Sequence, residues 1–132
     1  MAQKSGPFRL DEMRLVVGPS GDATPKRVTP DFYQQLDADF GDFAGHSLVA
    51  EHTFEEAWPT WEMHPAGEEL IYLLSGAVNF VLDQAGDQRT LELRAESPCC
   101  IIPKGVWHRF VVRSPGALLF ITPGEGTEHR PL

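Results

Sequence analysis

From residue 46 onward, the hydrophobic residues fall in short runs that turn-forming residues separate. These runs are "HSLVAEHTF", "IYLLSGAVNFVLD", "QRTLELR", "PCCII", "WHRFVVR" and "ALLFIT". Most of them have a strand-like length of about 5–8 residues. "DQAGD" and "RSPG" stand between neighbouring runs and carry the residues that favour hairpin turns. The pattern therefore predicts an all-β protein built as an antiparallel sandwich or barrel.

The N-terminal part has a different character. Its first 25 or so residues are rich in Gly, Pro and Ser, with one strand-like piece at Met13–Val17. In "VTPDFYQQLD", Thr29 can cap a helix, Pro30 suits the first helical position, and Asp31 complements the helix dipole. We predict one short helix, from about Pro30 to Leu36, and no other in the chain.

Length and charge bound the organisation of the chain and its partners. With 132 residues, we expect one domain, in which an arm and helix over 1–45 pack on a barrel formed by 46–132. A net charge of -8 argues against nucleic acid or an anionic membrane as partner. The start lacks a secretory signal pattern, and Cys99 and Cys100 are adjacent, which makes them a poor disulfide. We therefore expect a cytoplasmic protein.

The strongest chemical signal lies in "TWEMHPAGEEL". Residues i and i+2 of a strand share a face, so Glu62 and His64 can point into one space, and the "PAG" turn directs Glu69 back towards it. Carboxylate oxygen and imidazole nitrogen both bind divalent ions. His108, in "IIPKGVWHRFVV", can complete the set from a distant strand. Taken alone, a Glu-x-His pair more often belongs to a solvated turn with a satisfied surface histidine, and the combination of the two stretches is what favours a metal site.

Two spacings in this sequence resemble the two motifs of the cupin superfamily. In the first motif, four residues separate His64 from Glu69, and six separate Glu69 from Gly76. In the second, residues 103–105 read Pro-Lys-Gly, and His108 follows after two more residues. The resemblance covers roughly residues 48–122 and implies a cupin-type jelly roll with a short N-terminal helix and arm outside it.

Several positions depart from the motifs of that superfamily. Glu62 stands where the first metal-binding histidine belongs, and Glu56 takes the place of the opening glycine. Ser97 replaces the opening glycine of the second motif, and Val112 replaces its closing asparagine. These departures concern the metal site more than the fold.

The substitution at Glu62 leaves three alternatives open. Glu62 is a fourth metal ligand beside His64, Glu69 and His108, or it is a catalytic general base next to a three-ligand ion. In the third alternative, the site holds no metal and Glu62 is only hydrogen-bonded inside the barrel. The cofactor expected from the first two is a divalent ion, Fe, Mn, Zn or Ni.

The resemblance implies a metal-dependent enzyme that acts on a small polar molecule, with dioxygenase or isomerase chemistry. The alternatives are a non-catalytic module that senses a small ligand and a degenerate cupin without metal. Small cupins commonly pair, so a homodimer is expected. Two further histidines are weaker candidates, because His52 is an alternative ligand or a satisfied core residue, and His129 lies in a tail to which we assign no chemistry. The aromatic residues near the motifs either wall a pocket or pack in the core and the dimer interface; they are Trp58, Trp61, Tyr72 and Trp107.

Overall fold

The computed structural model describes residues 4–132, which form nine strands and one short helix. The strands are β1 (Met13–Val17), β2 (Ala23–Arg27), β3 (Ser47–Phe54), β4 (Thr60–Met63), β5 (Glu69–Gln84), β6 (Asp87–Leu93), β7 (Cys99–Ile102), β8 (Trp107–Thr122) and β9 (Glu128–Pro131), and the helix α1 spans Phe32–Asp39. Every strand pair is antiparallel. The predicted all-β fold is confirmed.

Strands β5 and β8 run side by side through the whole fold. Each has 16 residues, and they pair from Leu70↔Ile121 to Asp83↔Trp107. On the edge of β8 away from β5, β3 pairs with the C-terminal half and continues through β1 to β2, and β4 pairs with the N-terminal half at His108 and continues to β9. Strands β6 and β7 pair with β5. The N-terminal strand β1 and the C-terminal strand β9 are thus each separated from β8 by one strand.

The β5–β8 pair bends where the two backbones come closest. A Cβ atom on Gly116 would lie 2.1 Å from the carbonyl oxygen of Ser75, and one on Gly76, whose φ is +80°, would lie 2.5 Å from that of Pro115. The strand register shifts at this point, as in a β-bulge. "RSPG" was predicted to be a hairpin turn, and this is wrong because these residues continue β8 through the bend. "DQAGD" is confirmed as the tight turn between β5 and β6.

The apolar side chains form two clusters. The larger one joins the two halves of β5 and β8, which face each other across the bend, and consists of Phe54, Ile71, Leu73, Val78, Phe80, Leu82, Leu93, Ile102, Phe110, Leu118 and Phe120. The smaller one lies between α1 and the sheet and consists of Val16, Phe32, Leu36, Phe43, Leu48 and Ala50. Phe32 and Leu36 are one helical turn apart, so α1 buries one face on β1 and β3.

Helix α1 begins and ends later than predicted. It spans Phe32–Asp39 and not about Pro30 to Leu36. Thr29 does not cap it, since its hydroxyl donates to the Asp31 carboxylate at 2.8 Å and Asp31 occupies the N-cap position. The helix continues past its predicted end at Leu36. The side chain of Leu36 is buried, and its carbonyl accepts a hydrogen bond from the Phe40 N–H at 3.0 Å.

The N-terminal part contributes strands as well as the helix. The strand predicted at Met13–Val17 is present as β1, and it pairs with both β2 and β3. A division of the chain at residue 45 therefore stays a prediction. Over the described residues, α1 is far too short and too polar to cross a membrane.

Candidate metal centre

The structure brings Glu62, His64, Glu69 and His108 together inside the fold. One ligand atom from each lies within 4.8 Å of those of the other three. Glu62 on β4 pairs directly with His108 on β8, His64 follows the end of β4, and Glu69 begins β5. The predicted convergence of these side chains is thus observed, while their role as metal ligands stays a prediction.

The Glu69 carboxylate lies between the two imidazoles. Its Oε1 is 3.1 Å from His108 Nε2, and its Oε2 is 3.4 Å from His64 Nε2. The carboxylate of Glu62 also reaches His64 Nε2, at 2.9 Å. His64, Glu69 and His108 are at most 3% exposed, whereas the side chain of Glu62 is 19% exposed. Three donors are therefore buried, and the fourth lies closer to solvent.

Hydrogen bonds behind the two imidazoles determine which ring nitrogen carries the proton. His108 Nδ1 is 3.0 Å from the Val106 carbonyl, which can only accept, so Nδ1 donates. His64 Nδ1 is 2.8 Å from the Thr127 hydroxyl, whose own proton goes to the Gly124 carbonyl at 2.9 Å. In their neutral forms, both rings therefore direct the lone pair of Nε2 into the cluster, as metal-binding histidines do.

Several atoms of the cluster lack a hydrogen-bond partner, although they are close together. When both rings are neutral and carry their proton on Nδ1, His64 Nε2 and His108 Nε2 face carboxylate oxygens that cannot donate, so these two buried atoms and Glu69 Oε1 have no hydrogen-bond partner within residues 4–132. Leaving buried polar atoms unsatisfied is costly, and a divalent ion would be a common partner for all three. The mixed carboxylate and imidazole set suits Fe, Mn, Zn or Ni. The residues present therefore fit such an ion.

In the metal-free cluster, the neighbouring carboxylates favour a proton on the His64 imidazole, where a metal ion would bind. Burial lowers the pKa of His64, but the carboxylates of Glu62 and Glu69 outweigh it and raise this pKa to about 9. Burial raises the pKa of Glu69, but His108 and His64 outweigh it and lower this pKa to about 2. Near neutral pH, His64 is thus protonated and Glu69 ionised.

Two threonines that the sequence did not single out hold the cluster in place. Thr127 orients His64, as described above, and the Thr122 hydroxyl donates to Glu69 Oε2 at 2.5 Å. Both lie far from their partners in sequence and belong to no ligand motif. Such supporting contacts are found only from the three-dimensional structure.

Replacing Thr127 by valine should weaken metal binding by about 10–100-fold, the usual cost of losing such a supporting contact. The change keeps the shape of the side chain but removes the oxygen that accepts the Nδ1–H of His64. Metal titration followed by calorimetry measures the effect. Thr90→Val, on the exposed part of β6, is the matched control. Equal affinities for the two variants would mean that Thr127 does not orient His64.

A cavity of about 620 Å³ opens onto the cluster. Glu62, His64 and Glu69 line it, and His108 lies behind them. The apolar part of the remaining wall consists of Leu36, Phe43, Leu48, Ala50, Trp58 and Phe120. This volume is within the range of pockets that enclose small molecules.

The weaker sequence candidates have distinct places. His52 lines the cavity but lies outside the cluster, with Nε2 3.3 Å from Arg14. Trp58 lines the cavity, whereas Trp61 packs between Arg109 and Arg130, and Trp107 stacks under Arg130.

His129 lies close to the candidate metal centre, although the polar sequence around it did not indicate this. Strand β9 pairs with β4, which sets His129 opposite Glu62, and His129 Nε2 is 3.4 Å from Glu62 Oε2. This segment is therefore docked on the fold, and His129 both lines the cavity and contacts a candidate ligand. The strand was not predicted from the sequence, because "EHRP" contains proline and charged residues that are unfavourable in strands.

Comparison with known proteins identifies the fold. No family model and no curated protein matches the sequence. Among solved structures, oxalate decarboxylase from Bacillus subtilis is similar over 66% of this chain and 23% of its own, with 20% identity and a TM-score of 0.51. That oxalate decarboxylase contains Mn(II) centres. A single-residue variant of it is similar over 73% of this chain and 26% of its own, with 19% identity and a TM-score of 0.52.

A plant protein has a similar structure. Peruvianin-I, a cysteine peptidase from Thevetia peruviana latex, is similar over 66% of this chain and 56% of its own, with 15% identity and a TM-score of 0.52. The chain spans less than two thirds of each of these relatives. The shared architecture and the clustered donors define a cupin-type jelly roll with a candidate metal centre, as the sequence predicted.

Proposed function

We propose that this chain binds one divalent metal ion through His64, Glu69 and His108, with Glu62 as a fourth ligand or as a general base beside the ion, and is an enzyme acting on a small polar molecule in the adjoining cavity. The observation that carries the proposal is the set of buried atoms without hydrogen bonds, two ring nitrogens and a carboxylate oxygen, that converge there. A resident ion would act as a Lewis acid on an oxygen atom of the bound molecule. The chemistry that fits is of the dioxygenase or isomerase kind.

The side chains of the centre fall into two groups, three that would hold the metal ion and one that would take part in proton transfer. His64, Glu69 and His108 are buried and fixed by hydrogen bonds to Thr127, Thr122 and Val106. Glu62 is the least constrained member, because it lines the cavity, is partly exposed, and its carboxylate lies near the imidazoles of His64 and His129. It is therefore the group placed to take a proton from a molecule bound there, and His129 can share that proton.

The proposal is tested by elemental analysis of protein purified without chelator, together with a Glu62→Ala variant. We expect about one metal ion per chain in the unmodified protein. Metal lost in the variant makes Glu62 a ligand, and metal retained assigns it the role of base. Failure to bind Mn, Fe, Zn or Ni after reconstitution would refute the proposal.

Metal affinity should rise with pH between about 7 and 9, because an ion must displace the proton of His64. The carboxylates raise the pKa of His64 to about 9 in the metal-free protein, so binding below this pH releases one proton. One released proton corresponds to about a tenfold gain in affinity per pH unit, with a plateau above pH 9. Competition titrations with a chelator of known affinity measure the slope. An affinity that does not change from pH 7 to 8.5 would contradict this prediction.

The outer face of β5 and β7 supports the expected homodimer. Leu70, Tyr72 and Leu74 alternate along β5 with exposed side chains, and exposed Ile101 pairs with Leu70 across to β7. Contiguous exposed apolar side chains of this kind mark contact surfaces, and a patch on one sheet face can meet its own copy about a two-fold axis. We propose that two copies of this chain associate through this patch.

A Tyr72→Glu, Ile101→Glu double variant should be monomeric at micromolar concentration, whereas the unmodified protein should be dimeric. The two carboxylates would have to be buried against their symmetry mates, which is unfavourable. Light scattering after size-exclusion chromatography measures both masses. Gln88→Glu on exposed β6 is the control for added charge. A monomeric unmodified protein would refute the dimer.

A further inference from the structure

Only one of the buried charged or titratable residues within 4–132 lies outside the metal centre. It is Arg14, on the face of β1 that packs under α1, and the residue is 8% exposed. No salt bridge of the described chain includes Arg14, and its Nε is buried without a hydrogen-bond partner. The guanidinium stacks on the rings of Phe32 and Tyr33, at 4.8 and 5.7 Å. Its positive charge therefore lacks an adjacent carboxylate, which is unusual for a buried arginine.

Arg14 determines the hydrogen-bonding state of His52. Arginine can only donate, so His52 Nε2, 3.3 Å from Arg14 Nη2, must accept. His52 is thus neutral with its proton on Nδ1, and both burial and Arg14 lower its pKa, which favours the neutral form. His52 Nδ1 makes no hydrogen bond within residues 4–132, and it is not fully buried. The Nδ1–H is therefore free to donate to a molecule in the cavity that His52 lines.

Arg14 orients Tyr33 in the same way. Arg14 Nη1 donates to the Tyr33 hydroxyl oxygen at 3.2 Å, which leaves the hydroxyl proton free. Tyr33 lines the same cavity from α1. Two donors, backed by one uncompensated positive charge, thus meet on the wall formed by β3 and α1.

This wall and the metal centre are within reach of one small molecule. His52 and Glu69 are separated by two strand spacings, about 10 Å, and by four residues along the strands, about 13 Å. The surface between them is aromatic, since Trp58 stacks on Phe120 at 5.9 Å and the His52 ring meets Phe120 at 5.5 Å. The cavity is thus polar at two places with an apolar stretch between them.

We propose that His52 and Tyr33 form a subsite for a carboxylate of the bound molecule, with Arg14 as the residue that positions both. The inference rests on the proposed function for the other end of that molecule, which the metal ion would hold. The ligand class is therefore a small molecule with an oxygen-bearing head, an apolar or aromatic body, and an acidic group at its far end. Asp37 lies on the same wall, one helical turn beyond Tyr33, and opposes rather than assists anion binding.

The subsite is tested with Zn(II)-loaded protein and paired probes. Each pair consists of two alkyl hydroxamates of equal length, one ending in a carboxylate and the other in a neutral carboxamide. For at least one chain length, calorimetry should show the carboxylate probe binding about tenfold more tightly, as a charge-assisted hydrogen bond provides. Tyr33→Phe and His52→Ala should each remove most of this preference, and Asp37→Asn should maintain or increase it. Equal affinities at every length, or a preference unaffected by both variants, would overturn the inference.

A second measurement is independent of the metal. Long-range proton–nitrogen correlation spectra of the metal-free protein should show His52 protonated at Nδ1, and benzoate should shift that signal. Arg14→Gln should weaken the tautomer preference, whereas Tyr33→Phe should not, which separates positioning by Arg14 from a purely structural role. If Zn(II) fails to bind, the proposed function fails and this spectrum alone decides on the subsite. A His52 proton on Nε2, or no shift with benzoate, would overturn it.

Discussion

Replacing His108 by alanine should weaken divalent metal binding far more than replacing Glu62 by alanine. His108 is fully buried, and the Val106 carbonyl holds its ring so that Nε2 faces the cluster. It is also the only one of the four donors that comes from β8, and its Nε2 lies 3.1 Å from Glu69 Oε1, so its loss removes one of the three buried donors. Changes around ligands cost about 10–100-fold in affinity, and loss of a direct ligand held this rigidly should exceed that.

Glu62→Ala keeps three rigid donors, so its effect should be smaller. Titration of both metal-free variants with Mn(II) and Fe(II) under anaerobic conditions measures the order, and circular dichroism confirms that both are folded. His46→Ala is the matched control, since His46 packs on Phe40 and Phe43 away from the cluster. Equal affinities for the His108 and Glu62 variants, or tighter binding by the former, would place the centre of the site elsewhere.

Gly116→Ala should be the most destabilising single methyl addition in the β5–β8 pair. The added Cβ would lie 2.1 Å from the Ser75 carbonyl oxygen and 2.7 Å from the Gly76 nitrogen, and all these atoms are backbone. Relief requires the two long strands to separate at their bend, where both halves of the core meet. We expect a loss of about 4 kcal/mol or more in the free energy of unfolding.

Denaturant unfolding of Gly116→Ala and Gly18→Ala provides the comparison. A Cβ on Gly18 would meet its nearest neighbour, His46 Nε2, at an ordinary 3.5 Å, so its effect should stay within about 1 kcal/mol. Gly76→Ala should resemble Gly116→Ala, because its φ of +80° adds strain to a contact of 2.5 Å. Similar stabilities for the Gly116 and Gly18 variants would show that the strands do not meet this closely.

The convergence of the four side chains was predicted from local rules together with the resemblance to the two cupin motifs. Strand parity places Glu62 and His64 on one face, and short turns fix Glu69 and His108 at the starts of their strands. The hydroxyls of Thr122 and Thr127 follow no such rule, since they come from 53 and 63 residues further along the chain. Only the pairing of distant strands brings them to the cluster.

The elements that sequence reasoning missed depend on neighbours rather than on their own residues. Strand β2, "ATPKR", and strand β9, "EHRP", contain proline and charge, and each is a strand because an existing edge pairs with it. The segment "RSPG" has the composition of a turn, yet it lies at a bulge within β8 because a second long strand supports it. Composition does not distinguish a chain reversal from a bend in a paired strand.

The pairing of β4 with β8 and β9 sets the order of events during synthesis. A nascent chain that has exposed β4 and β5 presents Glu62, His64 and Glu69 without His108 and without Thr127. The pairing that completes the site spans more than 60 residues of sequence, and non-local strand pairing is slow compared with local structure formation. On the proposed function, loading with metal therefore follows translation of residue 127, and the ion binds to an already folded jelly roll.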